Sequence, residues 1–190
     1  MSENWTPSDR DYAIRTIIGE AANQPDEGMS AVAHVIANRA RSGKFGGERP
    51  TDVVLARGQF EPWQARRDEL LGYTAEDPQY QRAAKVWDEA VNNPDKDPTR
   101  GGTHFLNEDV VIKRSGKLPK WASGGGQKIG DHTFYGGGTK SDDEIFNEFA
   151  RGAAKAAPAS TTPDDVFDEF GRKSVPEKIG QTELPKVVIT

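Results

Sequence analysis

The chain has 190 residues, a formal net charge of −5, 34% hydrophobic and 29% charged residues, and no cysteine. That length holds one ordinary domain with an appendage or two very small ones, and the composition suits a modest core beside an extended polar part. No long basic run marks a nucleic-acid partner. The missing cysteines remove disulfides, thiolate zinc sites and a cysteine nucleophile, and no apolar run reaches membrane-spanning length.

A first helix is predicted from Ser8 to Asn23. Thr6 or Ser8 caps it, Asp9 and Asp11 suit its first turn, and Ala13, Ile14, Ile17, Ile18 and Ala21 recur at helical spacing. Gln24-Pro25 ends it, because the residue before a proline avoids the helical region. A second helix spans Asp26 to Arg41 with Met29, Val32, Ala33, Val35 and Ile36 as its apolar stripe, and Ser42-Gly43 closes it. After a glycine-rich loop at 43–50, Thr51 to Arg57 reads as a short helix and "GQFEPW" (58–63) as irregular chain. Asp77 to Asn92 is the third clear helix, carrying Tyr80, Ala83, Ala84, Val86 and Trp87. Beyond Pro94, "GGTHFLN" (101–107) and "KIGDHTFYGG" (128–137) read as short strands separated by a loop that contains Trp121. Helices first and a small β-element afterwards make an α+β arrangement, mainly helical.

From Thr139 the composition turns to Asp, Glu, Ala, Pro and Thr, and "AAKAAPASTTP" (153–163) resembles a linker. The expected division is a folded body at 1–138 and an acidic, extended tail at 139–190. "IFNEF" (145–149) and "VFDEF" (166–170) repeat one pattern in that tail. They are either a pair of docking motifs for a protein partner or two short amphipathic turns.

Glu20 is the odd residue of the first helix. It follows Ile17 by three positions and Ala13 by seven, so it shares their apolar side. Burial disfavours an ionised carboxylate, and a helix C-terminus disfavours negative charge. Both effects favour a carboxylic acid that keeps its proton near neutral pH, as protonating a glycosidic oxygen requires. The plainer reading is a solvated glutamate on the helix edge.

"IIGEAANQPDEGMSAVAHVIANRARSG" (17–43) resembles the opening motif of the SleB/CwlJ-type cell wall hydrolases. "GQFEPW", "DPTRGGTHFLNE" (97–108) and "PKWASGGGQKIGDHTFY" (119–135) follow in that family's order, so the similarity spans residues 10–136. The resemblance implies a lysozyme-like α+β domain with Glu20, at the "GEA" position, as catalytic residue. It also implies peptidoglycan as substrate, cut between N-acetylmuramic acid and N-acetylglucosamine as lytic transglycosylases do, with no cofactor and no metal. One carboxyl group suffices for that reaction. A hydrolytic muramidase usually wants a second, for which Glu27, Glu61 and Asp131 are available; Glu27 reads more simply as a first-turn charge of the second helix.

Saccharide clefts pair aromatic platforms with amide and hydroxyl groups. Phe60, Trp63, Trp121 and Tyr135 are candidates for ring faces, and Gln59, Asn107 and His132 for hydrogen bonds. Core packing competes for Phe60, Phe105 and Phe134 and is preferred for the last two; His34 and Asn38 read as core residues. A proline and a glutamate follow the "QF" pair where the family often has a small polar residue and then a tryptophan, and the 107–127 loop is long and basic in its middle.

Two rival classes are weighed. A metal-dependent cell-wall amidase would use His104, His132 and a carboxylate such as Asp131, with both histidines on neighbouring strands facing one ion. A non-enzymatic wall-binding or virion structural protein would keep the fold without the chemistry. The N-terminus "MSENWTPSDRDYAIR" has no charged start followed by an apolar stretch. The expectation is therefore cytoplasmic synthesis without a signal peptide and delivery to the wall by a phage particle, lysis system or secretion machine, with the tail as tether.

Overall fold

The first helix begins at the predicted cap. Thr6 Oγ1 accepts from the Asp9 amide at 3.3 Å, and Asp9 Oδ2 accepts from the Thr6 amide at 2.7 Å, a reciprocal capping box. In the computed structural model, which describes residues 4–137, this cap opens α1 (Pro7–Ala21), followed by α2 (Asp26–Ser42). Gly43, at φ 68°, ends α2 in the left-handed conformation that glycine adopts without strain. Short helices α3 (Pro50–Leu55), α4 (Pro62–Ala65) and α5 (Arg67–Gly72) lead to α6 (Pro78–Asn92). The chain then forms β1 (Gly102–Leu106), α7 (Glu108–Ser115), β2 (Gln127–Ile129) and β3 (His132–Gly136).

The apolar stripes predicted for the helices meet one another. Ala13, Ile14 and Ile17 of α1, Val32, Val35 and Ile36 of α2, and Val86 and Trp87 of α6 share one buried core. α6 packs against both α1 and α2, and so does α3. Asp9, fully buried, ties α3 to α1: Arg49 Nη2 donates to it at 2.8 Å and the Thr51 amide at 3.3 Å. Burial alone would raise the Asp9 pKa, but the bonds from Arg49, Thr6 and Thr51 outweigh it and hold the group well below the usual carboxylate range.

The sheet is antiparallel in the order β1-β3-β2. Asn38 Nδ2 fastens its first strand to α2 by donating to Gly102 O at 3.0 Å and to Asp97 Oδ2 at 2.9 Å, and Asp97 also accepts from the Thr99 and Gly101 amides. His34 is a core residue as predicted, buried with its Nδ1 3.8 Å from Asp97 Oδ1, whereas Asn38 is half-buried and serves the junction between α2 and the sheet.

Three local expectations need correcting. "KIGDHTFYGG" is a hairpin rather than one strand: Ile129 pairs with His132 across a Gly130-Asp131 turn. The 107–127 loop contains α7, whose first turn is capped by Asn107 Oδ1 accepting from the Val110 amide at 3.0 Å. "GQFEPW" closes with Pro62 and Trp63 in α4, and α5 follows where no helix was predicted. The linker and the motifs at 145–149 and 166–170 lie outside the described residues.

Candidate active site

Glu20 sits on the last turn of α1 and is half-buried. Its pKa is raised from 4.5 to about 7, first by burial; Arg39 pulls it down, Glu61 pushes it up and Arg66 pulls it down. The helix terminus contributes less than the sequence alone suggests, because two arginines cover it. Arg66 Nη2 donates to Gly19 O at 2.7 Å, and Arg82 donates to Ala22 O and Gln24 O at 3.3 and 2.8 Å. Burial is the main cause of the raised proton affinity.

Arg39 of α2, whose charge acts on Glu20, is only 4% exposed. Its Nε donates to Thr103 O at 2.6 Å and its Nη1 to Gln59 Oε1 at 3.1 Å. Phe45 and Phe60 cover the guanidinium at 4.9 and 5.0 Å from their ring centroids. Burial lowers the Arg39 pKa to about 10 while Glu20 draws it upward, so the cation persists. Sequence reasoning missed this residue, although Arg39 continues the stripe of Val32 and Ile36 at helical spacing.

On β1 and β3, directly opposed residues share a sheet face. His104 opposes Tyr135, and Phe105 opposes Phe134. The Trp121 ring lies 5.4 Å from His104 and 5.2 Å from Tyr135, which places these three rings together. Tyr135 is only 2% exposed, and its hydroxyl donates to Glu108 Oε1 on α7. His104 Nδ1 meets Thr103 Oγ1 at 2.9 Å, and burial, then the Arg39 charge, lowers the His104 pKa to about 3. His132 stands with Phe134 and Phe105 on the other face, its ring 5.3 Å from Phe105. The two histidines therefore do not face one ion, and among the described residues no three His, Asp or Glu side chains gather as a metal site. The premise of the amidase reading is absent.

Gln59 joins the Glu20 neighbourhood through Arg39 and is half-buried, as are Asn107, Trp121 and His132. Phe60 is 1% exposed and supports Arg39 from below, so it offers no open face to a sugar. Trp63 is 8% exposed, and its indole N–H donates to Thr16 Oγ1 at 2.8 Å; it packs under α1 as a core residue. Of the possible second carboxylates, exposed Glu61 acts on Glu20 electrostatically. Glu27 stands in the first turn of α2, and Asp131 accepts from Gln24 Nε2 at 2.7 Å. A depression of about 550 Å³ along α6, bordered by Arg10, Tyr80, Lys85 and Asp88, shares no residue with this cluster.

A mainly helical α+β body with a small sheet, holding one half-buried carboxyl group poised near neutrality, is of the lysozyme-like class. The chain belongs to the Cell Wall Hydrolase family, whose model matches residues 23–135, and is a peptidoglycan-lytic protein. That match begins just after Glu20. Two solved structures are similar. The catalytic domain of the Bacillus cereus SleB protein has a TM-score of 0.57 and 25% identity, covering 70% of this chain and 94% of its own. The catalytic domain of the germination-specific lytic transglycosylase SleB from Bacillus anthracis has a TM-score of 0.55 and 25% identity, covering 72% and 100%. No curated protein matches the chain.

Proposed function

We propose that the protein is a lytic transglycosylase that cuts between N-acetylmuramic acid and N-acetylglucosamine with Glu20 as its one catalytic carboxyl group. The observation that carries this reading is a half-buried glutamate whose pKa is lifted to about 7 by burial. A carboxyl group with that proton affinity holds its proton at neutral pH yet releases it readily, the requirement for an acid that must next act as base. Glu20 gives its proton to the glycosidic oxygen as the bond to the muramic C1 breaks. The muramic acid's own 6-hydroxyl then bonds to C1, and its proton returns to Glu20. No water is consumed, and the product carries a 1,6-anhydro ring. Gln59 and Trp121, both half-buried, are the candidates for holding the glycan, since Asn107 caps α7 and His132 stands on the opposite face of the sheet from Trp121.

One observation favours a second reading. Glu61 is near enough to raise the Glu20 pKa, and a hydrolytic muramidase needs such a second carboxylate, about 5 Å away as nucleophile or somewhat further as base. Mass spectrometry of digested sacculi separates the two. Anhydro-muramic ends support transglycosylation, reducing muramic ends assign hydrolysis with Glu61, and free stem peptides overturn glycan cleavage altogether. Binding to sacculi with no soluble fragment released makes the chain a wall-binding protein. The body at 1–138 carries the lytic activity in this proposal, and the tail at 139–190 serves a protein partner such as a phage particle or secretion machine.

A further inference from the structure

We propose that α7 and the turn after it form a subsite for the peptide stems of peptidoglycan, in which Lys113, Arg114 and Lys117 hold stem carboxylates beside a sugar on Trp121; this rests on the glycan-cleaving reading above. In a chain of net charge −5, the stretch between Asp109 and Asp131 carries five cations and no acid. Lys113, Arg114 and Lys117 are exposed, and among the described residues no carboxylate pairs with them. α7 buries none of its residues, so core packing does not account for it. The hydroxyl of Tyr135 anchors its start by donating to Glu108. Val110, Lys113 and Arg114, at i, i+3 and i+4, share one face, and Glu108 lies about 200° round the helix from Val110. The cations therefore turn away from the anchor, with Val110 56% exposed among them.

Gly116, at φ 75°, ends α7, and the Ser115 hydroxyl closes the following turn by donating to Lys117 O at 2.9 Å. The chain then returns to the same tyrosine: the Trp121 ring stands edge-on to Tyr135 at 5.2 Å. Both ends of the basic excursion thus meet one aromatic side chain, which ties the cations to Trp121. The occupant must bring anions and small apolar groups to a site beside a sugar. A phosphate polymer has nothing apolar for Val110, and a lipid surface gives no reason for the tie to Trp121. A stem joined to muramic acid has free carboxylates and alanine methyl groups on one short chain. Four extended residues span about 13 Å, more than the roughly 10 Å width of a helix, so a stem leaving a sugar on Trp121 reaches the outer face of α7. Local charge here attracts carboxylates that the net charge of the chain would repel.

The test measures kcat and KM of the full-length protein on glycan strands with stems intact and on strands whose stems an amidase has removed. Wild type is compared with the triple variant K113Q/R114Q/K117Q and with the charge-keeping K113R/R114K/K117R. Exposed ion pairs are individually weak, so the effect is that of three together. The wild-type KM is expected to be about tenfold lower on intact than on stripped strands at low salt, a preference that fades by about 0.5 M salt. In the glutamine variant the KM on intact strands rises to the stripped value with kcat little changed, and the charge-keeping variant retains the preference. Free stem tetrapeptide should also displace E20Q, which binds without cutting, from intact sacculi. Equal wild-type KM on both substrates overturns the subsite and leaves glycan cleavage standing, as does a glutamine variant that keeps the preference or weakens on both substrates alike. Displacement of E20Q by anionic vesicles or poly(glycerol phosphate) but not by the tetrapeptide likewise overturns it. Failure of wild type to cut either strand defeats the lytic reading itself.

Discussion

Above about pH 4.5 the partial burial of Glu20 works against the stability of the fold. Its folded pKa, about 7, lies above the ordinary carboxyl value of 4.5, so the favourable contribution of its neutral form is complete below about pH 4.5 and is lost as pH rises through 7. The full size of that effect is at most about 3 kcal/mol, and partial exposure reduces it. Gln is isosteric with the protonated acid and never ionises. E20Q is therefore expected to melt with wild type at pH 4 and above it at pH 8, a divergence that calorimetry at the two pH values would reveal. The same variant should lose roughly a hundred- to ten-thousandfold in lytic rate. A parallel loss of stability at both pH values would mean that the side chain is structural. Arg39 shows the reverse economy, since its hydrogen bonds to β1 and to Gln59 make it structural as well as electrostatic.

Between elements, two glycine positions explain why short motifs distant in sequence belong together. A Cβ on Gly19 would lie 2.6 Å from Pro62 Cβ, so the glycine before Glu20 is where α4 comes to rest on α1. G19A should force the two apart at about 1–3 kcal/mol, displace Glu61 and Arg66 from Glu20, and lower activity more than the melting shift alone accounts for. Activity measured well below the melting point separates those effects. Gln24 staples the hairpin to the α1–α2 connection: its Nε2 donates to Asp131 Oδ2 at 2.7 Å, and its Oε1 accepts from the Asp131 amide at 3.0 Å. Gly130 has φ 60°, and a Cβ there would stand 2.5 Å from Gln24 Oε1. Q24A and G130A should each cost about 1–3 kcal/mol, the first through lost bonds and the second through strain and collision. Combined they should cost less than their sum, because Q24A removes the collision and leaves only the φ strain. Additive melting data would mean that the staple does not bear on the turn.

At the scale of the whole molecule, what the sequence made legible follows from how local each signal is. Thr6, the Ile17–Ile18 stripe and Gly43 act within one or two turns, so α1 and α2 were readable to within a residue or two. α7 carries equally local signals, with Asn107 as cap, Lys113 and Arg114 in its last turn and Gly116 at φ 75°. It was overlooked because Val110 and Ile112 are exposed and make no buried stripe. The half-buried setting of Glu20 was legible because its apolar flank is its own helix, whereas the burial of Phe60 and Trp63 depends on α1 and α2 packing over them, which no local pattern encodes. The boundary near 138 is a compositional reading, and it yields a direct prediction. The shared core lies within residues 13–134, β3 ends at Gly136, and the family match stops at 135. A chain ending at residue 138 should therefore melt at the full-length midpoint and release muropeptides at an undiminished rate. If the tail is a tether, the shortened chain should fail to co-purify with whatever particle or machine retains the full-length protein. A truncated chain that melts early or stops cutting would instead make residues 139–190 part of the lytic body, and the division proposed here would have to be abandoned.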